Sequence, residues 1–149
     1  MTLKQKIHDR LLQGAAEKII LLQQALSDLK ESGTNETKST AGDKHETALA
    51  MLQIEQANTR AQLKDALEKQ DQLQKINPEL TTKKIHPGSL VKTNRGYLYV
   101  SVAGGKLVIE NLTVTALSPQ SPLGEKLMGL GIGETVEVNN NRFTIESIE

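Results

Sequence analysis

Two carboxylates three residues apart, Asp43 and Glu46, stand where a stretch rich in glycine and hydroxyl residues gives way to a long helix-forming segment. At a helix start such a pair suits a capping box. Asp43 on the cap position would accept from a first-turn amide, and Glu46 would reach back to the cap amide. Both charges also favour the positive end of the helix dipole. The same two groups have a chemical reading: carboxylates one turn apart at an exposed tip form half of a hard-metal site, completed by oxygen ligands from a partner or a phosphate. Two carboxylates hold Mg2+ weakly, so that site would exist only when docked. Other reactive side chains are less well arranged. His8, His45 and His86 are dispersed, with no helical histidine pair or carboxylate at metal spacing. Gly129, Gly131 and Gly133 lack the Gly-Lys-Ser/Thr continuation of a phosphate loop and read as a turn. Without cysteine, thiolate zinc sites, iron–sulfur clusters, disulfides and thiol nucleophiles are excluded.

Composition says what can position such a pair. The 149 residues are 37% hydrophobic, below the roughly 45–50% of ordinary globular chains. The three aromatic residues, Tyr97, Tyr99 and Phe143, all lie beyond position 95, so the first two thirds must fold without an aromatic nucleus. Charge balances at 18 basic and 18 acidic residues, with 13 and 12 of them up to residue 84. Neither part is a polycation, so autonomous binding to a nucleic-acid backbone has little support. The basic residues Lys4, Lys6, Arg10, Lys83 and Lys84 are interleaved with polar ones and read as a solvated base. No apolar run approaches the ~20 residues of a membrane helix and no signal peptide is visible, which makes a cytoplasmic protein the expectation.

Leu3, Ile7, Leu11, Ala15, Ile19, Leu22, Leu26 and Leu29 recur at steps of three and four, the mark of a helix with one apolar stripe. From about Glu46 to Ile76, Leu49, Leu52, Leu63, Ala66, Leu67, Leu73 and Ile76 mark a second, with Gln56, Thr59 and Gln70 near the seam. Neither helix can bury its stripe alone, and the simplest solution is an antiparallel coiled-coil hairpin over residues 1–77 with a tip loop at about 32–45. Some 30 helical residues project about 45 Å, so the tip is a device for reach. Asn77-Pro78 ends the second helix and residues 78–87 form a linker. Residues 88–149 then alternate with period two, predicting strands over 89–93, 97–102, 106–110, 114–117, 134–138 and 142–148, and a short helix within 119–130. The chain is thus α+β: a helical hairpin followed by a small, mostly antiparallel β domain with one short helix.

Gly42-Asp43-x-x-Glu46-x-Ala48 at the end of such a hairpin resembles the tip motif of the Gre transcript cleavage factors, Gly-Asp-Leu-Lys-Glu-Asn-Ala. Independently, Ser121-Pro122-Leu123-Gly124-Glu125-Lys126-Leu127-Met128-Gly129, then Gly133-Glu134 and Val136, resembles the C-terminal signature of that family with no gap in its spacing. The resemblance implies an FKBP-like β domain that docks at the rim of the secondary channel of a bacterial-type RNA polymerase, with Ser121, Pro122, Leu123 and Gly124 as docking residues. The coiled coil would enter the channel. Asp43 and Glu46 would help the polymerase hold a second Mg2+ and orient the water that hydrolyses the 3′ end of a backtracked nascent RNA, as in two-metal phosphodiester hydrolysis. The protein would then be a monomeric elongation factor, not an enzyme on its own, with no membrane partner. The family also brings regulation of transcription and DNA binding as its functional setting. Where the family continues Asn-Ala-Glu-Tyr, this chain has Thr47-Ala48-Leu49-Ala50, and Lys126 replaces a small apolar residue. That leaves two alternatives: a channel binder that regulates or inhibits the polymerase without cleavage, and a structural coiled-coil adaptor.

Overall fold

A computed structural model describes the backbone of residues 1–37 and 42–149, and their side chains except at 34–37 and 42–45. The element order is α1 (Leu3–Thr37), α2 (Gly42–Gln74), β1 (Leu90–Thr93), β2 (Gly96–Val100), β3 (Gly105–Ile109), β4 (Leu112–Leu117), α3 (Pro122–Leu127), β5 (Thr135–Val138) and β6 (Asn141–Ile148). All the predicted elements are present. The chain is α+β, with two long helices ahead of a six-stranded sheet and one short helix.

The helices differ from expectation at their ends. Residues 32–37, expected in the tip loop, continue α1, and α2 begins at Gly42. Extending an existing helix gains one hydrogen bond per residue fixed, so even Ser32-Gly33-Thr34 propagates it. Of the tip predicted at 32–45, residues 38–41 lie outside the described residues. At its other end α1 opens on a capping box that the sequence reading passed over: Gln5 N donates to Thr2 Oγ1 at 3.2 Å and Thr2 N donates to Gln5 Oε1 at 2.9 Å.

Two compact units result, Met1–Leu12 with Asp71–Glu149, and Gln13–Gln70. In the second, Gln56 Nε2 of α2 donates to the Leu29 carbonyl of α1 at 3.3 Å, which ties the two helices side by side. Its stripe is thinly buried. Ile19 and Ala66 are its only buried apolar residues among those described, and Leu67, expected on the seam, is 44% exposed.

In the first unit the sheet order is β3-β4-β2-β1-β6-β5. The sheet is mostly antiparallel, as expected, with one parallel pairing between β2 and β4 that sets Tyr97 opposite Val114 and Val100 opposite Leu117. The chain leaving β2 skips one position to form the edge strand β3, and a two-residue turn brings β4 back into the gap. That turn, Glu110-Asn111, has φ of 52° and 65° at its two residues, and Asn139-Asn140 between β5 and β6 has 53° and 66°. Both are type I′ turns, whose twist matches that of the flanking strands.

Alternation along β2 splits the core into two layers. Leu98 and Val100 join Ile85, Val91, Leu117, Leu127 and Ile145 on one face, under α3. Tyr99 joins Leu90, Val114 and Ile7 on the other, with Leu3, Leu11, Leu107 and Ile109 at its margin. The first turns of α1 therefore serve the sheet. Gly104 allows this approach, since a Cβ there would sit 3.0 Å from Leu11 Cδ2 and 3.1 Å from Ala116 Cβ. The expected linker 78–87 is also packed into this unit: Ile85 is 2% exposed, its amide donates to the Leu130 carbonyl and its carbonyl accepts from Gly129 N. Among the described residues no helix is long and apolar enough to cross a membrane.

Candidate functional site

Asp43 and Glu46 both fall within α2, three residues apart in its first turns. With the helix opening at Gly42, Asp43 stands inside it and not at the expected cap position. The Asp43 side chain is likewise outside them, as is that of His45. Glu46 is exposed and makes no hydrogen bond or ion pair among the described residues, so its oxygen lone pairs are uncommitted. Positions i and i+3 of a helix are surface neighbours, about 5–6 Å apart at Cβ. Beyond Glu46 the exposed side chains include the apolar Met51 and Ile54, 59% and 61% exposed. Among the described residues no group of three or more His, Asp or Glu could hold a metal ion.

The second set, Ser121 to Gly124, opens α3. Ser121 is its N-cap: Oγ accepts from Gly124 N at 3.0 Å and donates to the Ser118 carbonyl at 2.7 Å. Pro122 takes the first helical turn, where its missing N–H costs nothing. Leu123 packs on the core under the sheet. Gly124 is buried so closely that a Cβ would lie 2.0 Å from the Ser118 carbonyl oxygen. Three of the four residues thus have a role inside the unit, and Pro122 is exposed. Lys126, on the same helix, donates from Nζ to the Glu137 carbonyl at 2.7 Å.

Polar groups that sequence reasoning left aside are buried on the other face of the sheet. His8 Nδ1 lies 2.7 Å from Tyr99 Oη, the rings meeting edge to face with centroids 6.0 Å apart, and His8 also bonds the Leu73 backbone. In the neutral imidazole that burial favours, a phenol donating to Nδ1 would leave the ring proton on Nε2. Burial lowers the His8 pKa and outweighs the opposing pull of Asp9; burial also pushes the Tyr99 phenol well above its ordinary value. Lys4 is 2% exposed and donates to the Leu80 carbonyl at 2.7 Å. The apolar spacing Leu3, Ile7, Leu11 conceals these residues, because Lys4 and His8 sit one position along on the same helical face. His86 is held by Ser89 Oγ and Thr82 Oγ1, each 2.8 Å from Nδ1.

No family model matches the chain, and no curated protein matches it. Among solved structures, it is similar to one described as the structure of the transcription factor Gfh1, at 21% identity, covering 95% of this chain and 92% of that one. The TM-score is 0.34, too low for the role of any residue to be carried across.

Proposed function

We propose that the chain is a transcription factor of the Gre type, which binds RNA polymerase, inserts its helical hairpin into the secondary channel and stimulates Mg-dependent cleavage of backtracked RNA. One observation carries the reading: the two acids of the tip motif stand one turn apart at the start of α2, and Glu46 is exposed with no partner among the described residues. A carboxylate with all its lone pairs available suits a hard cation that prefers oxygen ligands. Mg2+, when shared with the polymerase, would polarise the scissile phosphate and lower the pKa of the attacking water. Asp43 and Glu46 would lend it oxygens and hold the water in line. Residues 13–37 of α1 span roughly 37 Å at ~1.5 Å per residue, a length suited to carrying a tip down a channel.

The test is RNA cleavage in a purified backtracked complex. Wild-type protein should shorten the transcript in a Mg2+-dependent manner, and an Asp43→Asn, Glu46→Gln double variant should bind polymerase equally well and lose at least ~100-fold of the stimulation. Equal release by the two proteins sinks the proposal. A second reading, channel binding without cleavage, is favoured by the apolar Met51 and Ile54 on the exposed side of α2 in the turns beyond the acidic pair, because metal ligands depend on the groups that orient them. Polymerase binding by both proteins with cleavage by neither selects it.

A further inference from the structure

The six-stranded sheet has two edges, β3 and β5, and they are finished differently. Backbone groups along an edge strand point alternately toward the neighbouring strand and away from it. In a hairpin closed by a two-residue turn, the pair flanking the turn is hydrogen-bonded. At β5 that pair is Val138 with Asn141, so the next residue, Glu137, faces outward. Lys126 Nζ, from α3, donates to this outward carbonyl at 2.7 Å and closes the edge from within the chain. At β3 the same count bonds Ile109, Leu107 and Gly105 to Leu112, Val114 and Ala116, which turns the N–H and C=O of Val108 and Lys106 outward. Among the described residues nothing bonds these outward groups. The strand has neither proline nor bulge, and Val108 in its middle is 69% exposed. Such an edge is a template for a further strand unless a charge, a bulge or a cover blocks it. Lys106 is its one charge, and that charge selects the register of what can be added.

We propose that β3 pairs edge to edge with β3 of a second copy of this chain, antiparallel about a twofold axis at Val108, joining two sheets into one. In this register each Val108 N–H donates to the other copy's Val108 carbonyl, and Lys106 stands opposite Glu110 of the second copy. The strand is thus its own complement in charge as well as in hydrogen bonding. An axis at Lys106 would set like charges opposite each other, and an axis at Leu107 would leave Lys106 facing Val108 with no counter-charge. Glu110 can be shared, because its pair with Lys6 is exposed on both sides and such pairs are weak. One short strand a side falls below the ~1,200 Å² of stable complexes, so the association is weak, with Kd on the order of 100 µM. The monomer expected from the sequence is then the dilute form of the chain. This edge lies apart from the acidic tip and does not depend on the polymerase reading.

Sedimentation equilibrium of the full chain from about 10 µM to about 1 mM tests it, with amide exchange measured at both ends of that range. A monomer–dimer equilibrium is expected, and the Val108 amide should exchange at least ~3-fold more slowly at the high concentration. Val108→Lys puts like charges on the axis at an exposed position and should weaken association at least ~10-fold. Val108→Thr keeps a β-branched residue and the backbone pairing, and should leave association within about threefold. Lys106→Glu, which sets acid against Glu110, should weaken it at least ~3-fold, and carries the test should Val108→Lys fail to fold. Loss of association in Val108→Thr would mean that an apolar face makes the contact and not the strand edge, and overturns the proposal. So does unchanged association in a folded Val108→Lys or in Lys106→Glu, or unchanged exchange at Val108. A chain that stays monomeric at about 1 mM also overturns it, leaving the edge to a strand of another protein.

Discussion

His8 joins three elements with one imidazole: it stands on α1, pairs with Tyr99 of β2 and lies against the backbone of Leu73 near the end of α2. Its folded-state pKa is depressed below 6.5 by burial, while the unfolded chain protonates near that value. The neutral form is therefore the one the fold selects. Stability should be full above pH 6.5 and fall as pH drops through the folded pKa, by at most about 1.4 kcal/mol per pH unit. Thermal melts from pH 7.5 to 5 should show this slope, and His8→Gln should flatten it. Tyr99→Phe keeps the ring and removes the donor, leaving Nδ1 buried without a partner. It should cost about 1–3 kcal/mol in urea unfolding at pH 7.5. Glu46 differs in kind, because it is exposed and has no partner among the described residues, and its substitution by Gln should leave the melting curve unchanged within about 0.5 kcal/mol.

At the scale of elements, the short helix α3 shows how a motif can have two meanings. Ser-Pro-Leu-Gly is read from its family resemblance as a docking sequence, and the same residues build the helix start. Ser121→Ala should cost about 1 kcal/mol through the lost cap. Gly124→Ala should cost about 3 kcal/mol, since its methyl would meet the Ser118 carbonyl, which is backbone and has little room to move. Both are measurable by chemical denaturation. A polymerase-binding defect counts as docking only where stability is intact, and the exposed Pro122 is the position to probe. The strands illustrate the opposite case. Period-two alternation located all six to within two residues, yet the parallel pairing of β2 with β4 has no local signature. Which neighbour a strand finds depends on where the intervening chain crosses, and here β3 takes the outer edge.

At the scale of the whole molecule, buried apolar residues are unevenly shared. Tyr99, Leu90, Val91, Val100, Val114, Leu127 and Ile145 are nearly inaccessible in the unit formed by 1–12 and 71–149, whereas 13–70 buries little beyond Ile19 and Ala66. Low burial makes local opening cheap. Amide exchange should accordingly be faster throughout 13–70 than in β1, β2 and β4. Because Met1–Leu12 and Asp71–Glu149 form one compact unit in which His8 lies against the Leu73 backbone, excising 13–70 and joining Leu12 to Asp71 by a short Gly-Ser loop should leave a folded unit that melts cooperatively, checked by its near-ultraviolet dichroism.

The sequence by itself determined the two long helices, the six strands, the short helix and the poverty of aromatic residues in the first two thirds. These are local properties: a periodicity, a composition and a spacing are complete within a few turns of chain. Only the tertiary structure decided that Leu3, Ile7 and Leu11 serve the sheet, that residues 78–87 are packed in with Ile85, and that Lys4 and His8 are buried polar groups. An apolar stripe states that a face must be covered and leaves open which surface covers it. That choice is made by contacts between residues far apart in the chain, such as His8 with Tyr99 and Lys4 with Leu80, and no window of sequence contains both members of such a pair.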